Sequence, residues 1–138
     1  QRPTSHLKGM APEFRRTEES IINDEMKKMD LFGETEIHNF LRKYKIIFKE
    51  KHKLDDVIFD FYLPTLRVCI EFDGRQHFEP IEKFGGFDTL ERIKSNDKVK
   101  NEYCEEHYIE LVRIKYDKID DIYRILWDNL AHKIKKTD

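Results

Sequence analysis

Residues 59–77 read FDFYLPTLRVCIEFDGRQH, and this stretch decides the fold. It contains two short runs of β-branched and aromatic residues, which favour strands, and Pro64 between them favours a tight turn. The sequence therefore predicts two neighbouring strands with a short connection. The second of them, residues 68–73, has the composition of a strand in the centre of a sheet.

Carboxylates interrupt the apolar pattern of these strands. Side chains alternate between the two faces of a strand, so Glu71 and Asp73 point to the same side, and Asp60 on the preceding strand offers a third acid. Two carboxylates at close approach repel by about 4 kcal/mol at an intermediate dielectric, and burying them unpaired costs more. A bound cation is the simplest compensation, and salt bridges to the plentiful lysines and arginines are the alternative.

Length and composition limit the class of protein. The chain has 138 residues, enough for one domain with a single core, and it is 39% charged and 38% apolar. A net charge of -2 neither indicates nor excludes nucleic-acid binding, because a basic face can coexist with an acidic site. Cys69 and Cys104 lack metal-ligand spacing, so we expect buried thiols in a reducing, cytoplasmic setting. No apolar run approaches the roughly 20 residues of a membrane span.

Three segments are expected along the chain. Residues 1–14 are polar, contain two prolines and have the character of a vector-derived, disordered leader. Residues 15–32 are highly charged and predict a weak N-terminal helical extension. Residues 33–138 contain the strong patterns and form the main domain.

The first strong helix is predicted from Glu34 to about Tyr44. Apolar residues recur there at helical spacing and form one stripe, which is expected to face the core. Glu34 lies three residues before Ile37 and therefore falls on this stripe. An acid on a core-facing stripe needs a partner, although stabilisation by the helix dipole is an alternative explanation.

A second helix is predicted after a long loop. Thr89 or Ser95 is a suitable cap, and the helix is expected to end near His107. Asp97 and Cys104 are seven residues apart and share one helical face, so another acid is predicted to point inward. The loop, residues 78–89, follows the carboxylates and is long enough to suggest a functional role.

The remaining patterns complete an α/β (α+β) domain. Strands are predicted at residues 46–48, 57–62, 68–73 and 109–114, and a final helix follows. Short connections favour an antiparallel meander for the first three strands. A helical crossover allows the third and fourth to be parallel. We therefore expect a mixed sheet of about four strands flanked by helices.

These motifs resemble those of the PD-(D/E)-x-K nuclease superfamily, and most closely its very-short-patch-repair (Vsr-like) branch. That branch includes phage and intron-encoded homing endonucleases with an acid, acid, x, His, Asp signature. The likeness spans about residues 33–125, and DFYLP at 60–64, CIEFDG at 69–74 and QH at 76–77 carry it. The resemblance implies a restriction-endonuclease-like fold and a catalytic domain at 33–138.

The resemblance also implies roles for individual residues. Asp60 matches the pivotal metal-binding acid, Glu71 matches the acid of the third motif, and the backbone carbonyl of Phe72 would complete the metal ligands. The other matched positions are the helix acid Glu34, the histidine His77 and the later aspartate Asp97.

Asp73, which we group with the catalytic acids, departs from the superfamily pattern. Many members carry a lysine at this position, so the resemblance leaves open how the attacking water is activated. His77 is a candidate general base or hydrogen-bond donor to the phosphate, because an imidazole exchanges protons near neutral pH.

The chemistry implied is hydrolysis of a phosphodiester in double-stranded DNA. Oxygen ligands select a hard cation, so we expect Mg²⁺ as cofactor, with Mn²⁺ a plausible substitute. The residues expected to contact DNA are Arg75, Gln76, Lys94, Lys98 and Lys100.

No base-reading module is recognisable in the sequence, so a long target site would require a homodimer or a further DNA-recognition domain. The setting implied is intracellular, including a phage protein acting in a bacterial host. The alternatives are a Vsr-like repair or restriction nuclease and a catalytically inactive nuclease fold that only binds DNA.

Overall fold

The computed structural model describes residues 17–81 and 85–136, with side chains up to Ile134. The predicted leader at 1–14 lies outside the described residues. Helices and strands follow in this order: α1 (Glu18–Lys43), β1 (Lys49–Leu54), β2 (Val57–Leu63), β3 (Val68–Asp73), a 3-10 turn (Arg75–His77), α2 (Gly86–Glu106), β4 (Glu110–Lys115), a second 3-10 segment (Tyr116–Asp121) and α3 (Ile122–Lys136).

The four strands form one mixed sheet in the order β1-β2-β3-β4. The pairs β1–β2 and β2–β3 are antiparallel, whereas β3 and β4 are parallel and are connected through α2. This arrangement confirms the predicted α+β class with a meander followed by a helical crossover. A parallel pair requires such a crossover, because a short turn reverses the chain direction.

The sheet is covered on both faces. On one face Phe61, Ile70 and Val112 pack with apolar residues of α1 and α3 in the main core. On the other face Phe59 and Cys69 form a smaller cluster with Cys104 of α2 and Ile109. All six residues of β3 are buried, which explains its near-continuous apolar composition.

Helix α1 differs from the prediction of two separate helices. It runs without a break through Gly33, which is buried within it. A Cβ at Gly33 would lie 2.5 Å from Cε1 of Phe72, so this glycine marks a close approach between α1 and β3. Sequence reasoning took it for a helix boundary, because a helical glycine and a terminating glycine look alike in a single sequence.

The predicted strand at 46–48 is wrong. These residues connect α1 to β1, and the strand is the charged segment Lys49–Leu54. Strand β1 pairs with β2 through a two-residue turn at Asp55 and Asp56 and lies at the edge of the sheet. An edge strand obtains much of its stability from backbone pairing and can therefore be polar. A prediction based on apolar runs does not detect such a strand.

Helix α2 begins at Gly86, earlier than either predicted cap. Gly85 precedes it with φ of 95°, a left-handed conformation that glycine adopts without strain. Residues 82–84 of the predicted loop lie outside the described part of the chain. Among the described helices, none is long and apolar enough to cross a membrane.

Candidate active site

A row of charged residues crosses all four strands. The pairing of β3 with β4 places Glu71 beside Arg113, the Asp60 N–H of β2 donates to Glu71, and Lys51 of β1 donates to Asp60. The row consists of Lys51, Asp60, Glu71 and Arg113. It lies near the end of β3, where Gly74 leads into the 3-10 turn.

Backbone N–H groups hold the carboxylates of Asp60 and Glu71 close to each other. The Asp60 N–H donates to Oε2 of Glu71 at 2.6 Å, and the Phe72 N–H donates to Oδ2 of Asp60 at 2.9 Å. The Glu71 residue is only 2% exposed. Burial, reinforced by the negative charge of Asp60, raises the pKa of Glu71. The structure thus brings the two central acids predicted from sequence together, with Glu71 buried and the Asp60 side chain 18% exposed.

Two lysines neutralise these acids. The Nζ atom of Lys51 lies 3.0 Å from Oδ1 of Asp60 and 3.1 Å from Oε2 of Glu34. The Nζ atom of Lys100 lies 2.6 Å from Oε1 of Glu71. The structure therefore contains the salt bridges that the sequence left open as the alternative to a cation. It also places Lys100, predicted to contact DNA, against a buried acid.

A second charged group lies beyond the end of β3. The Nδ1 atom of His77 is 2.9 Å from Oδ2 of Asp97 and 3.7 Å from Oδ1 of Asp73. These three residues offer ligand atoms that all lie within 4.8 Å of one another. Burial raises the pKa of Asp73, and the charge of Arg113 opposes this shift. The pattern-based prediction that Asp97 points inward agrees with this placement.

Arg113 joins the two sides of this second group. Its NH1 atom donates to both carboxylate oxygens of Asp73, at 2.9 and 3.1 Å, and its NH2 atom donates to the backbone carbonyl of Asp97 at 3.1 Å. Sequence reasoning assigned Arg113 only to the fourth strand. The parallel register that places it beside Glu71 is decided by the crossover and cannot be read from local spacing.

Asp30 is a further acid of the site that sequence reasoning missed. Burial raises its pKa, a hydrogen bond from Gln76 opposes the shift, and the negative charge of Glu34 adds to it. A Cβ at Gly74 would lie 2.7 Å from Oδ1 of Asp30 and 2.6 Å from Oε1 of Gln76, so the absence of a side chain there makes room for both. The available signal was spacing, because Asp30 lies four residues before Glu34 on the same helical face.

The predicted DNA-contact residues fall into different environments. Arg75 donates through Nε to Glu79 at 2.9 Å, and Gln76 bonds Asp30. Lys94 and Lys98 are exposed on α2, four residues apart, and form no ion pair with the residues that the structure describes. These two lysines are therefore the basic side chains most available to a phosphate.

The residues present fit a hard divalent cation. Asp60 and Glu71 supply oxygen donors of the preferred type, and burial together with the negative charge of Asp60 raises the pKa of Glu71, so added positive charge beside the pair would stabilise its ionised form. Within the described residues, Oε1 of Gln76 is buried without a hydrogen-bond partner, and it lies close to Gly74 at the end of β3. Asp60 and Glu71 would hold the cation, and the Phe72 carbonyl as a third ligand remains a prediction.

Comparisons with known proteins give one partial relative. Part of the chain is similar to the uncharacterized protein 094L of frog virus 3 (isolate Goorha), with 34% identity over 59 residues. The match covers 41% of this chain and 38% of the viral protein. No family model matches the chain, and no solved structure matches it. A functional assignment therefore depends on the site itself.

Proposed function

We propose that this chain is the catalytic domain of a metal-dependent DNA endonuclease that hydrolyses phosphodiester bonds, of the Vsr-like homing type. The observation that carries this proposal is the pairing of Asp60 of β2 with the buried Glu71 of β3, with the His77–Asp97 pair beyond the end of β3. Buried carboxylates and an adjacent histidine–carboxylate pair are the parts that phosphodiester hydrolysis needs.

Each side chain has a defined task in this proposal. Asp60 and Glu71 would hold Mg²⁺, or Mn²⁺ in its place, and Glu34 lies nearby, joined to Asp60 through Lys51 in the metal-free protein. The cation would polarise the scissile phosphate and neutralise the charge that develops on it. Asp97 accepts a hydrogen bond from Nδ1 of His77 and so fixes the ring, which exchanges a proton with the attacking water or the leaving oxygen.

Double-stranded DNA is the proposed substrate, and the exposed lysines of α2 are its proposed phosphate contacts. Contacts of this kind make affinity dependent on salt but carry no sequence information. A long target site would require a homodimer or a further DNA-recognition domain. We place the reaction inside the cell, where the two buried free thiols, Cys69 and Cys104, would stay reduced.

The direct experiment incubates supercoiled plasmid with the protein, with and without Mg²⁺ or Mn²⁺. We expect nicked or linear product only with the cation, and at least about a hundredfold slower cleavage for Asp60→Asn. Asp128→Asn is the matched control, because Asp128 is exposed on α3, which supplies none of the acids or histidines of the proposed site. Cleavage that persists in Asp60→Asn at the wild-type rate would reject the proposal.

One observation favours a second candidate, a nuclease fold that binds DNA without cutting it. Asp73 stands where many relatives of the superfamily carry lysine, and here it is engaged by Arg113 at 2.9 Å. In that case the protein would show salt-dependent DNA affinity with or without Mg²⁺, and the plasmid would stay supercoiled. The same plasmid assay, run beside a filter-binding titration, separates the two candidates.

A further inference from the structure

We propose that Lys51 acts as an internal counter-ion, whose ammonium group holds the place between Glu34 and Asp60 until a divalent cation displaces it. This inference rests on the proposed function for the identity of the site. It adds a residue that the sequence did not place among the site candidates, and it gives that residue a role in metal binding.

The geometry of the bridge carries the inference. A single Nζ atom lies within hydrogen-bond distance of acids from two separate elements, Glu34 of α1 and Asp60 of β2. The other oxygen of Asp60 is occupied by the Phe72 N–H, so its carboxylate is held in place. Positive charge between the two carboxylates is what a bound cation would also provide.

Exposure distinguishes Lys51 from the other lysine of the site. The Lys51 side chain is 58% exposed and belongs to an edge strand, so its ammonium can turn into water without uncovering the core. The Lys100 side chain is 22% exposed and is paired with Glu71, whose side chain is 3% exposed. A cation that enters the site would therefore displace Lys51 and leave Lys100 in place.

The backbone supplies an independent observation. Lys51 has φ of 47°, in the left-handed region that is unfavourable for a residue with a side chain, although β1 is otherwise extended. An unfavourable conformation persists only where surrounding contacts compensate for it. The pairing of β1 with β2 includes Glu50 and His52 but not Lys51, so the left-handed residue marks a local break in the strand at the position whose Nζ contacts Asp60 and Glu34.

Displacement of the Lys51 ammonium affects how tightly the site binds a divalent cation. Without a divalent cation, the protein's own side chain neutralises part of the acid cluster and competes with the metal. With the cation bound, the ammonium is released toward solvent, where it can interact with a phosphate. The affinity for metal is therefore set by an internal competitor as well as by the ligands.

The test measures metal binding in the absence of DNA. Isothermal titration of MnCl₂ into Lys51→Met is expected to give roughly three- to fivefold tighter binding than into the wild type, because exposed ion pairs such as those of Lys51 are worth up to about that factor. Lys53→Met is the matched control, since Lys53 lies in the same strand and forms no salt bridge with the described acids. We expect its affinity to stay within about twofold of wild type.

A second variant and a second measurement protect the test against misfolding. Lys51→Gln retains hydrogen-bond donors but not the charge, and it should also bind Mn²⁺ more tightly. Saturating Mn²⁺ should raise the melting temperature of both Lys51 variants by more than it raises that of the wild type. Unchanged or weaker Mn²⁺ affinity in both folded variants overturns the inference. Tighter binding without plasmid cleavage would uphold it while rejecting the proposed function.

Discussion

The Nδ1 atom of His77 lies 2.9 Å from Oδ2 of Asp97, although the two residues are twenty positions apart in the chain. The 3-10 turn after β3 supplies the histidine, and α2 supplies the aspartate. A carboxylate on Nδ1 fixes the ring and its tautomer, which leaves Nε2 as the nitrogen for proton exchange. The contact thus joins two separate sequence candidates into one hydrogen-bonded unit, which is the acid–base unit of the proposed mechanism.

Loss of this unit should slow plasmid cleavage. His77→Gln removes the proton-exchanging ring and is expected to reduce the rate by about 10²- to 10⁴-fold, as for other general acid–base groups. Asp97→Asn should have a smaller effect in the same direction, because the ring remains but its tautomer is no longer fixed. Cleavage rates across a pH series measure both effects, and His132→Gln on the exposed side of α3 serves as control. A wild-type rate for His77→Gln would contradict the assignment.

Asp30→Asn should stabilise the metal-free protein at neutral pH. Burial raises the pKa of Asp30, so the folded protein keeps a proton on this carboxyl where the unfolded chain has already released it. The stability contributed by this carboxyl is therefore fully present below the usual aspartate pKa of about 4. It is lost as the pH rises through the raised pKa of the folded state. The expected gain is at most about 1 kcal/mol, because Asp30 is only half-buried.

Urea denaturation of wild type and Asp30→Asn checks this pH dependence. The difference in the free energy of unfolding between the two proteins should disappear near the usual aspartate pKa and grow toward neutral pH. A difference that is constant with pH, or largest in acid, would show that this carboxyl is not destabilised by burial.

Arg113→Met should destabilise the protein by about 3 kcal/mol, because it leaves a buried carboxylate without its partner. The Asp73 side chain is 7% exposed, and Arg113 also holds the backbone of Asp97. The double variant Arg113→Met with Asp73→Asn should recover part of the loss, since it removes the unpaired charge. Chemical denaturation of the wild type, the two single variants and the double variant gives the coupling energy between Arg113 and Asp73. Strictly additive changes in the free energy of unfolding would rule out a direct interaction between the two side chains.

Gly33→Ala should destabilise the protein by about 2 kcal/mol, the usual cost of overpacking. The new methyl carbon would lie 2.5 Å from Cε1 of Phe72, so the ring or the helix has to move. Thr35→Ala, at an exposed position of the same helix, is the control and should be neutral or slightly stabilising. If Gly33→Ala has the melting temperature of Thr35→Ala, α1 and β3 do not approach as closely as described.

The sheet was largely predictable because its central strand carries a strong local signal. Burial on both faces requires a continuous apolar run, and the run in β3 appears in the sequence at its observed bounds. The short turns and the helical crossover then allow few alternatives for strand direction. Strand β1 was misplaced because an edge strand needs little apolar surface, and Gly33 was misread because local spacing does not reveal what packs against a glycine.

By itself, the sequence determined which acids stand on inward-facing positions, since periodicity along a strand or helix is a local property. It therefore placed Glu34, Asp60, Glu71 and Asp97 among the site candidates. Only the tertiary structure decided which basic side chain each acid contacts. Lys51, Lys100 and Arg113 reach the acids through strand pairing and helix packing. Such pairings join residues far apart in the chain, and among 26 lysines and arginines no local rule selects the three that meet a buried carboxylate.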